Sequence, residues 1–309
     1  DDICGEIQFV TGDRVNGPFH SNDDILVCGS PRFGRDGGND RVEVSGNGWR
    51  PSCGGSSPVF NPSLDTKVAS IDPPAANTAL KDLADGSYVF TGQTTVTLNP
   101  GSITVKNANV NGGAEKTMPY PPNGIIYANN GACGARYNPL KWYVQDPGCG
   151  DVRVSGTYDN DLTIGADNDI IVTDDVRRAG GTNVLLGLIP NGFARIWHPV
   201  SDQTGSYYNT CTTTGPPNNV RVDAAILTLT GSFTVDNYWC GGSLGTLTVN
   251  GAIAQRHRGV VGQSDGDGYL KNYNYDENLR YRSPPHFLDP IQTSWRILRQ
   301  GEQSPPARG

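Results

Sequence analysis

Apolar and polar residues alternate in short runs along the chain, between turn signals. Such runs cover residues 6–10, 24–27, 41–44, 88–98, 103–110, 142–145, 151–154, 162–173, 184–189, 220–235 and 247–255. A period of two at these lengths predicts half-buried strands. An apolar-Thr-apolar triplet recurs inside them, starting at Ile103, Leu162, Leu227 and Leu247. The last two extend to Leu227-x-Leu229-x-Gly231-x-Phe233 and Leu247-x-Val249-x-Gly251-x-Ile253, which match at an offset of 20 residues.

An offset of that size predicts a solenoid rung. In a parallel β-helix each coil supplies short strands whose inward side chains stack on the next coil, so a single coil cannot bury its apolar side. The expected fold is therefore all-β: a degenerate right-handed parallel β-helix with loop insertions. A β-sandwich is the alternative, because turn-separated antiparallel strands show the same alternation. One short helix is expected over residues 75–84, between Pro73-Pro74 and Asp85-Gly86. The expected organisation is a solenoid body over residues 1–268, a C-terminal capping segment over 269–300 rich in Tyr, Arg and Asn, and a flexible tail over 301–309.

Composition strengthens the all-β reading. The 309 residues include 40 Gly, 22 Pro and one Met, with 26 Asp to 5 Glu and 18 Arg to 6 Lys. Long acids and amines that populate helix surfaces are scarce, and turn-forming residues are abundant. A net charge of −7 disfavours nucleic acid and anionic membranes as partners. No apolar run is long enough for a membrane-spanning helix, so no membrane span is expected. The seven cysteines, Cys4, Cys28, Cys53, Cys133, Cys149, Cys211 and Cys240, include no CxxC pair. They read as disulfide candidates of an oxidising compartment, with Cys211–Cys240 and Cys133–Cys149 the expected local pairs. The odd count leaves at least one cysteine unpaired or joined to another chain. The start at Asp1 rather than Met fits a mature, extracellular or cell-surface protein.

Particular segments carry a family resemblance. They are Gly17-Pro18-Phe19-His20-Ser21-Asn22-Asp23-Asp24-Ile25, Asn183-Val184-Leu185-Leu186-Gly187-Leu188-Ile189-Pro190-Asn191 and Ile196-Trp197-His198-Pro199-Val200. Others are Asp223-Ala224-Ala225-Ile226-Leu227, residues 244–255 and Arg282-Ser283-Pro284-Pro285-His286-Phe287-Leu288-Asp289-Pro290. Through these the chain resembles a family of bacterial exoproteins, some of whose members carry a PilX-like, pilus-assembly N-terminal domain. The resemblance spans most of the chain and is densest from about Asp159 onward. It implies a β-rich extracytoplasmic body, joined in longer relatives to a hydrophobic pilin-like segment that this sequence lacks. It supplies no catalytic residues.

Candidate chemistry is sparse. His20, His198, His257 and His286 are far apart in sequence, with no HExxH spacing, and read as structural. His20, Ser21, Asp23 and Asp24 contain the residue types of a hydrolytic triad, but neighbours on a strand point to opposite faces. The richest acidic stretch offers Asp159, Asp161, Asp167 and Asp169 as hard oxygen ligands for Ca²⁺, the one cofactor the sequence suggests, against a turn-forming role at coil corners. Asp265 and Asp267 form a weaker version of that pattern. Arg153, Arg177, Arg178 and Arg195 are available as bases or anion clamps, and Tyr207, Tyr208, Tyr238, Trp239, Tyr273 and Tyr275 as sugar-stacking rings.

The expected function is a non-enzymatic extracellular structural protein, a component of a surface appendage, filament or adhesin. Self-association, head to tail into a homo-oligomer or filament, is the expected partnership, with a glycan or cell-surface partner beside it. The alternatives are a secreted carbohydrate-active β-helix enzyme, lyase or hydrolase, and a carbohydrate-binding protein.

Overall fold

The computed structural model describes residues 6–134, 136–139, 145–201, 211–215, 218–263 and 265–288. Cys4, Tyr207, Tyr208, residues 142–144 of one expected strand and everything after residue 288 lie outside them.

Eight short strands open the chain: β1 (Phe9–Val10), β2 (Arg14–Asn16), β3 (Phe19–Ser21), β4 (Ile25–Cys28), β5 (Arg32–Phe33), β6 (Val42–Val44), β7 (Trp49–Pro51) and β8 (Val59–Phe60). They visit three faces in turn, giving parallel sets β1–β4–β7, β2–β5–β8 and β3–β6. A parallel bridge from Glu43 to Asp65 adds a third member to the last set. Between the faces lies a small core in which Phe9, Phe19, Phe33 and Phe60 pack ring on ring.

The helix α1 (Thr78–Leu83) follows, at the expected place. The remaining strands are β9 (Val89–Thr91), β10 (Thr94–Asn99), β11 (Ser102–Asn107), β12 (Lys116–Met118), β13 (Ile125–Asn129), β14 (Val152–Tyr158), β15 (Leu162–Ala166), β16 (Ile170–Arg178), β17 (Leu186–Pro190), β18 (Ala194–Ile196), β19 (Arg221–Thr228), β20 (Phe233–Val235), β21 (Ser243–Gln255) and β22 (Gly268–Tyr275). One parallel series runs β9–β13–β15–β17–β19–β21–β22. A second runs β10–β14–β16–β18–β20. Only β10–β11 and β11–β12 among the paired strands are antiparallel, so an antiparallel sandwich does not describe this chain.

Register explains the core. Ile126, Ile164, Leu188, Ile226 and Ile253 stand side by side along the first series, and Val96, Val154, Val172, Ile196 and Val235 along the second. Each is an inward position of a strand, so every residue covers its neighbour above and below. The 20-residue offset expected between residues 227 and 247 is not the coil length. Val222 pairs with Val249 and Ile226 with Ile253, an offset of 27, and Leu229 lies beyond the end of β19. Unequal insertions between strands make the offset from one strand to the next vary, 24 residues from β15 to β17, 38 from β17 to β19 and 27 from β19 to β21, so shared motif spelling does not mark equivalent positions.

Strands β13, β15, β17 and β19 are buried on both faces, and their sequences lose the alternation accordingly. Their outward residues Tyr127, Ile189 and Leu227 form a second cluster with Leu80 of α1 and with Phe287 and Leu288. Gly165 lets the Tyr127 ring lie across the sheet, since a Cβ there would sit 2.7 Å from the ring. Gly187 does the same for Phe287, at 2.8 Å. Asn77, buried at the N-terminus of α1, donates to the carbonyls of Ala166 and Ile189 and so ties the helix to two strand ends.

The stretch expected to begin a C-terminal cap starts instead as a full strand. β22 pairs with β21 on one side and with β2 on the other, so the N-terminal strands continue the parallel series where the C-terminal strands leave it. The seam carries a buried ion pair, Lys271 Nζ to both oxygens of Asp13 at 3.0 and 3.1 Å. Arg258 donates to the carbonyls of Ile7 and Gln8 and lies over the Phe9 ring. An amide ladder crosses the same seam: Asn16 donates to Asn274, Asn274 to Asn250, and Asn250 to the carboxylate of Asp223. After β22 the chain turns back along the outside, where Arg282 reaches Asn183 and Asp161, and Thr163 donates to Pro285. Of the stretch expected to cap an open end, the described residues Pro284–Leu288 lie over a sheet face, and residues 289–300 lie outside the described residues.

Three disulfides close this frame: Cys28–Cys53, Cys133–Cys149 and Cys211–Cys240. The last two are the pairs expected from local spacing.

Two substitutions test the register and the seam. Gly251→Ala places a Cβ 1.9 Å from the Ala224 carbonyl oxygen; the expected loss is at least about 1–3 kcal/mol in denaturant unfolding. A neutral result would contradict the β19–β21 register. Lys271→Met leaves Asp13 buried without its cation, for an expected loss of about 3–5 kcal/mol, much of it recovered in Lys271→Met/Asp13→Leu. Equal losses in the single and double variants would contradict the pairing.

Candidate functional site

Outward positions of the second series form their own ladder: Thr95, Arg153, Ile171, Arg195 and Thr234 stand in register. Two insertions rise over this face. Cys133–Cys149 closes the one between β13 and β14, and Cys211–Cys240 ties the one after β18 to the turn after β20. Between them lies a cavity of about 260 Å³. Its floor is Arg153, Ile171 and Arg195, and its walls include Tyr137, Gln145, Trp197, His198, Asp236 and Asn237.

Arg195 is 2% exposed and held from three sides. Its Nε donates to Asp169 at 3.0 Å, its Nη1 donates to Asp236 at 2.8 Å, and its guanidinium carbon lies 4.1 Å from the Tyr137 ring centre. Burial opposes its charge, but Asp236 and Asp169 outweigh that and keep it cationic. Burial also pushes the Asp169 carboxyl up to about 6, against the pull of Arg195, with the charge of Asp151 adding to the rise. Arg153 has different surroundings. Its Nη1 donates to Gln145 Oε1 at 3.1 Å and its guanidinium lies 5.0 Å from the Trp197 ring centre. Burial and the neighbouring Arg195 lower its pKa.

His198 has both ring nitrogens engaged. Nδ1 faces the carbonyls of Asp236 and Asn237 at 3.1 and 3.2 Å, which makes it the donor. Nε2 is then the acceptor for the Thr213 hydroxyl at 2.9 Å. Burial lowers its pKa, so it is a neutral strut between the two insertions.

The four aspartates expected as Ca²⁺ ligands lie in two turns, Asp159 and Asp161 between β14 and β15 and Asp167 and Asp169 between β15 and β16, and each carboxylate accepts from a backbone N–H. Asp159 accepts from Gly101, Asp161 from Leu185, Asp167 from Asn130, and Asp169 from Phe193. Tyr127 also donates to Asp167, and Arg282 to Asp161. Among the described residues no group of three or more His, Cys, Asp or Glu is placed to hold a metal ion. Asp265 accepts from the Asp267 N–H in the same local manner.

The triad-like segment is also engaged in structure. His20 lies 3.2 Å from Glu43 and 2.9 Å from Asn22, Ser21 accepts from the Asp23 N–H, and Asp24 accepts from Asn47 and Gly48. Of the four candidate arginines, the structure brings Arg153 and Arg195 together. Arg177 pairs with Asp175, and Arg178 with Asp276. Tyr238 and Trp239 pack edge to face, and Tyr273 packs edge to face on Phe233. Sequence reasoning missed Tyr137, Trp197, Asp236 and the side chain of Gln145 as lining residues. The available signal was an arginine at the middle position of both Val152-Arg153-Val154 and Ala194-Arg195-Ile196, an outward charge between two inward apolar residues.

A pH series tests the assignment of His198. Its folded pKa lies below the ordinary 6.5, so the unfolded chain takes up the proton first as pH falls. The stability it contributes is present above about 6.5 and is lost as pH drops toward the folded value. Asp169, raised to about 6, works in the opposite sense, losing its contribution as pH rises. The difference in melting temperature between wild type and His198→Gln therefore isolates the histidine. It is expected to shift against wild type between pH 7 and pH 5, and a difference independent of pH would contradict a buried neutral imidazole.

No family model, curated protein or solved structure matches the chain, so its residues carry no borrowed roles.

Proposed function

We propose that the chain is a non-enzymatic extracellular structural protein, a right-handed parallel β-helix serving as part of a surface appendage, filament or adhesin. The observation that carries this reading is the use to which its polar side chains are put. Aspartates bridge one coil to the backbone of another, asparagines form a ladder across the seam, and the histidine in the cavity has both nitrogens engaged. Three disulfides support an oxidising, extracellular setting. The resemblance to bacterial exoproteins with pilus-assembly N-terminal domains favours the same place of work.

The two ends of the stack differ. At one end β11 and β12 fold antiparallel over β10 and leave Lys116 and Thr117 exposed on the outermost strand, a device that discourages pairing. At the other end β7 and β8 pair on one edge only among the described residues. Trp49, 38% exposed, and the half-buried Phe60 and Leu64 finish the apolar interior there. An unpaired edge beside an apolar end is a template for another chain. Association through this end fits the geometry better than indefinite head-to-tail growth, and Cys4, the cysteine outside the three bridges, offers a covalent link between copies.

Negative-stain microscopy and sedimentation test this reading. The expected particles are rods joined end to end, becoming shorter with reductant where Cys4 links them, and reduced to single rods in Trp49→Lys/Val59→Lys. Single rods of the wild type at every concentration would overturn self-association. Sugar release from a polysaccharide panel would overturn the non-enzymatic reading.

A further inference from the structure

The cavity between the two stapled insertions contains two arginines in contrasting states. Arg195 is neutralised by Asp169 and Asp236. Arg153, two coils away in the same outward ladder, has no carboxylate within 4.0 Å among the described residues, and its single hydrogen bond goes to Gln145 Oε1. Gln145 is oriented by that bond, and its Nε2 is buried without a hydrogen-bond partner. A guanidinium carries five N–H donors and one is used, so Arg153 and Gln145 together bring unused donors to one cavity. An amide N–H buried without an acceptor costs free energy that a bound oxyanion removes, and a half-buried guanidinium with unused donors beside it adds charge-assisted hydrogen bonds to the same oxyanion.

The remaining walls narrow the ligand. Asp236 accepts from Arg195 and Tyr137 and lines the cavity with its carboxylate, while Trp197, with Arg153 near its ring, supplies aromatic wall. Acceptors beside donors suit hydroxyl groups, each of which both gives and takes a hydrogen bond. A volume of about 260 Å³ is at the small end for ligand pockets and suits one sugar ring rather than an extended chain. We propose that this cavity binds a carboxylate-bearing sugar, with its carboxylate on Arg153 and Gln145 Nε2 and its hydroxyls toward Asp236.

This inference is independent of end-to-end association, because the cavity lies on the side of the stack and can be titrated on single rods. The test is calorimetric titration of the whole chain with glucuronic and galacturonic acid, glucose, and inorganic sulfate and phosphate. At least one uronic acid is expected to bind, with glucose weaker by at least about tenfold, as expected for loss of a charge-assisted hydrogen bond. Arg153→Gln is expected to lose at least about tenfold in uronate affinity while keeping the far-ultraviolet circular dichroism of the wild type. Arg177→Gln, on an arginine paired elsewhere, should bind as wild type. Sulfate or phosphate binding as tightly as the uronic acids would reduce the site to a bare oxyanion hole and overturn the sugar assignment. No uronate binding, or binding indifferent to Arg153→Gln, would overturn the proposal outright.

Discussion

A single strand with one apolar side, here two to thirteen residues long, cannot bury that side by itself, and everything else in this molecule follows from neighbouring strands doing so for one another. The column Ile126–Ile164–Leu188–Ile226–Ile253 shows how the requirement is met. Parallel, in-register pairing places like beside like, so branched aliphatics stack with little change of shape from one coil to the next. Register must then be held against slippage, because a shift by one residue would turn the column outward. Corner aspartates hold it, since Asp169 binds the N–H of Phe193 on the next coil and Asp161 that of Leu185. Each carboxylate fixes the position at which one coil hands over to another.

Such a stack has ends, and the chain finishes one of them with its own beginning. Pairing β2 against β22 brings residues some 258 apart in sequence into one hydrogen-bonded ladder, through Asn16 and Asn274. Closing so long a loop costs more conformational entropy than a local contact, and the seam combines several kinds of interaction to offset it. The Lys271–Asp13 pair is desolvated, Arg258 caps two carbonyls, and the amide ladder ends on Asp223. Burial raises the Asp223 carboxyl, but hydrogen bonds from Arg221, Asn250 and the Arg178 backbone outweigh it and leave its pKa below the ordinary value. The ladder therefore ends on a negative charge, which orients the amides behind it.

Legibility in the sequence followed locality. Strands with one wet face, such as β10 and β11, alternate in the sequence as they do in burial. Strands covered on both faces do not: Ile125–Asn129 reads as a plain apolar run, because α1 lies across it. Residues 269–275 read as the start of a cap because Tyr and Asn dominate them; their polarity is spent on the amide ladder and on Lys271–Asp13. No local pattern could announce that seam. The offset of 20 misled because coil length is set by insertions, and Val222 meets Val249 only once those insertions are excluded from the count. The disulfides were readable in part because Cys133 and Cys149 are only 16 residues apart, across a Pro- and Gly-rich loop.

The cavity was illegible for a related reason. Arg153 and Arg195 are 42 positions apart in sequence yet two steps apart on one sheet face, with Ile171 between them. A charge flanked by inward apolar residues ordinarily means a solvated outer face, and Arg177 follows that rule by pairing with Asp175 near the surface. What changes the outcome for Arg153 and Arg195 is the roof. Two disulfide-closed insertions cover them, and covered charges must find partners or be left in deficit. For Arg195 the fold itself supplies two carboxylates; for Arg153 it supplies an amide oxygen and an aromatic face. A structural scaffold has no need of that asymmetry, since a second aspartate on the facing loop would remove it. The unused donors of Arg153 and of Gln145 Nε2 are the feature on which the proposed binding of a carboxylate rests.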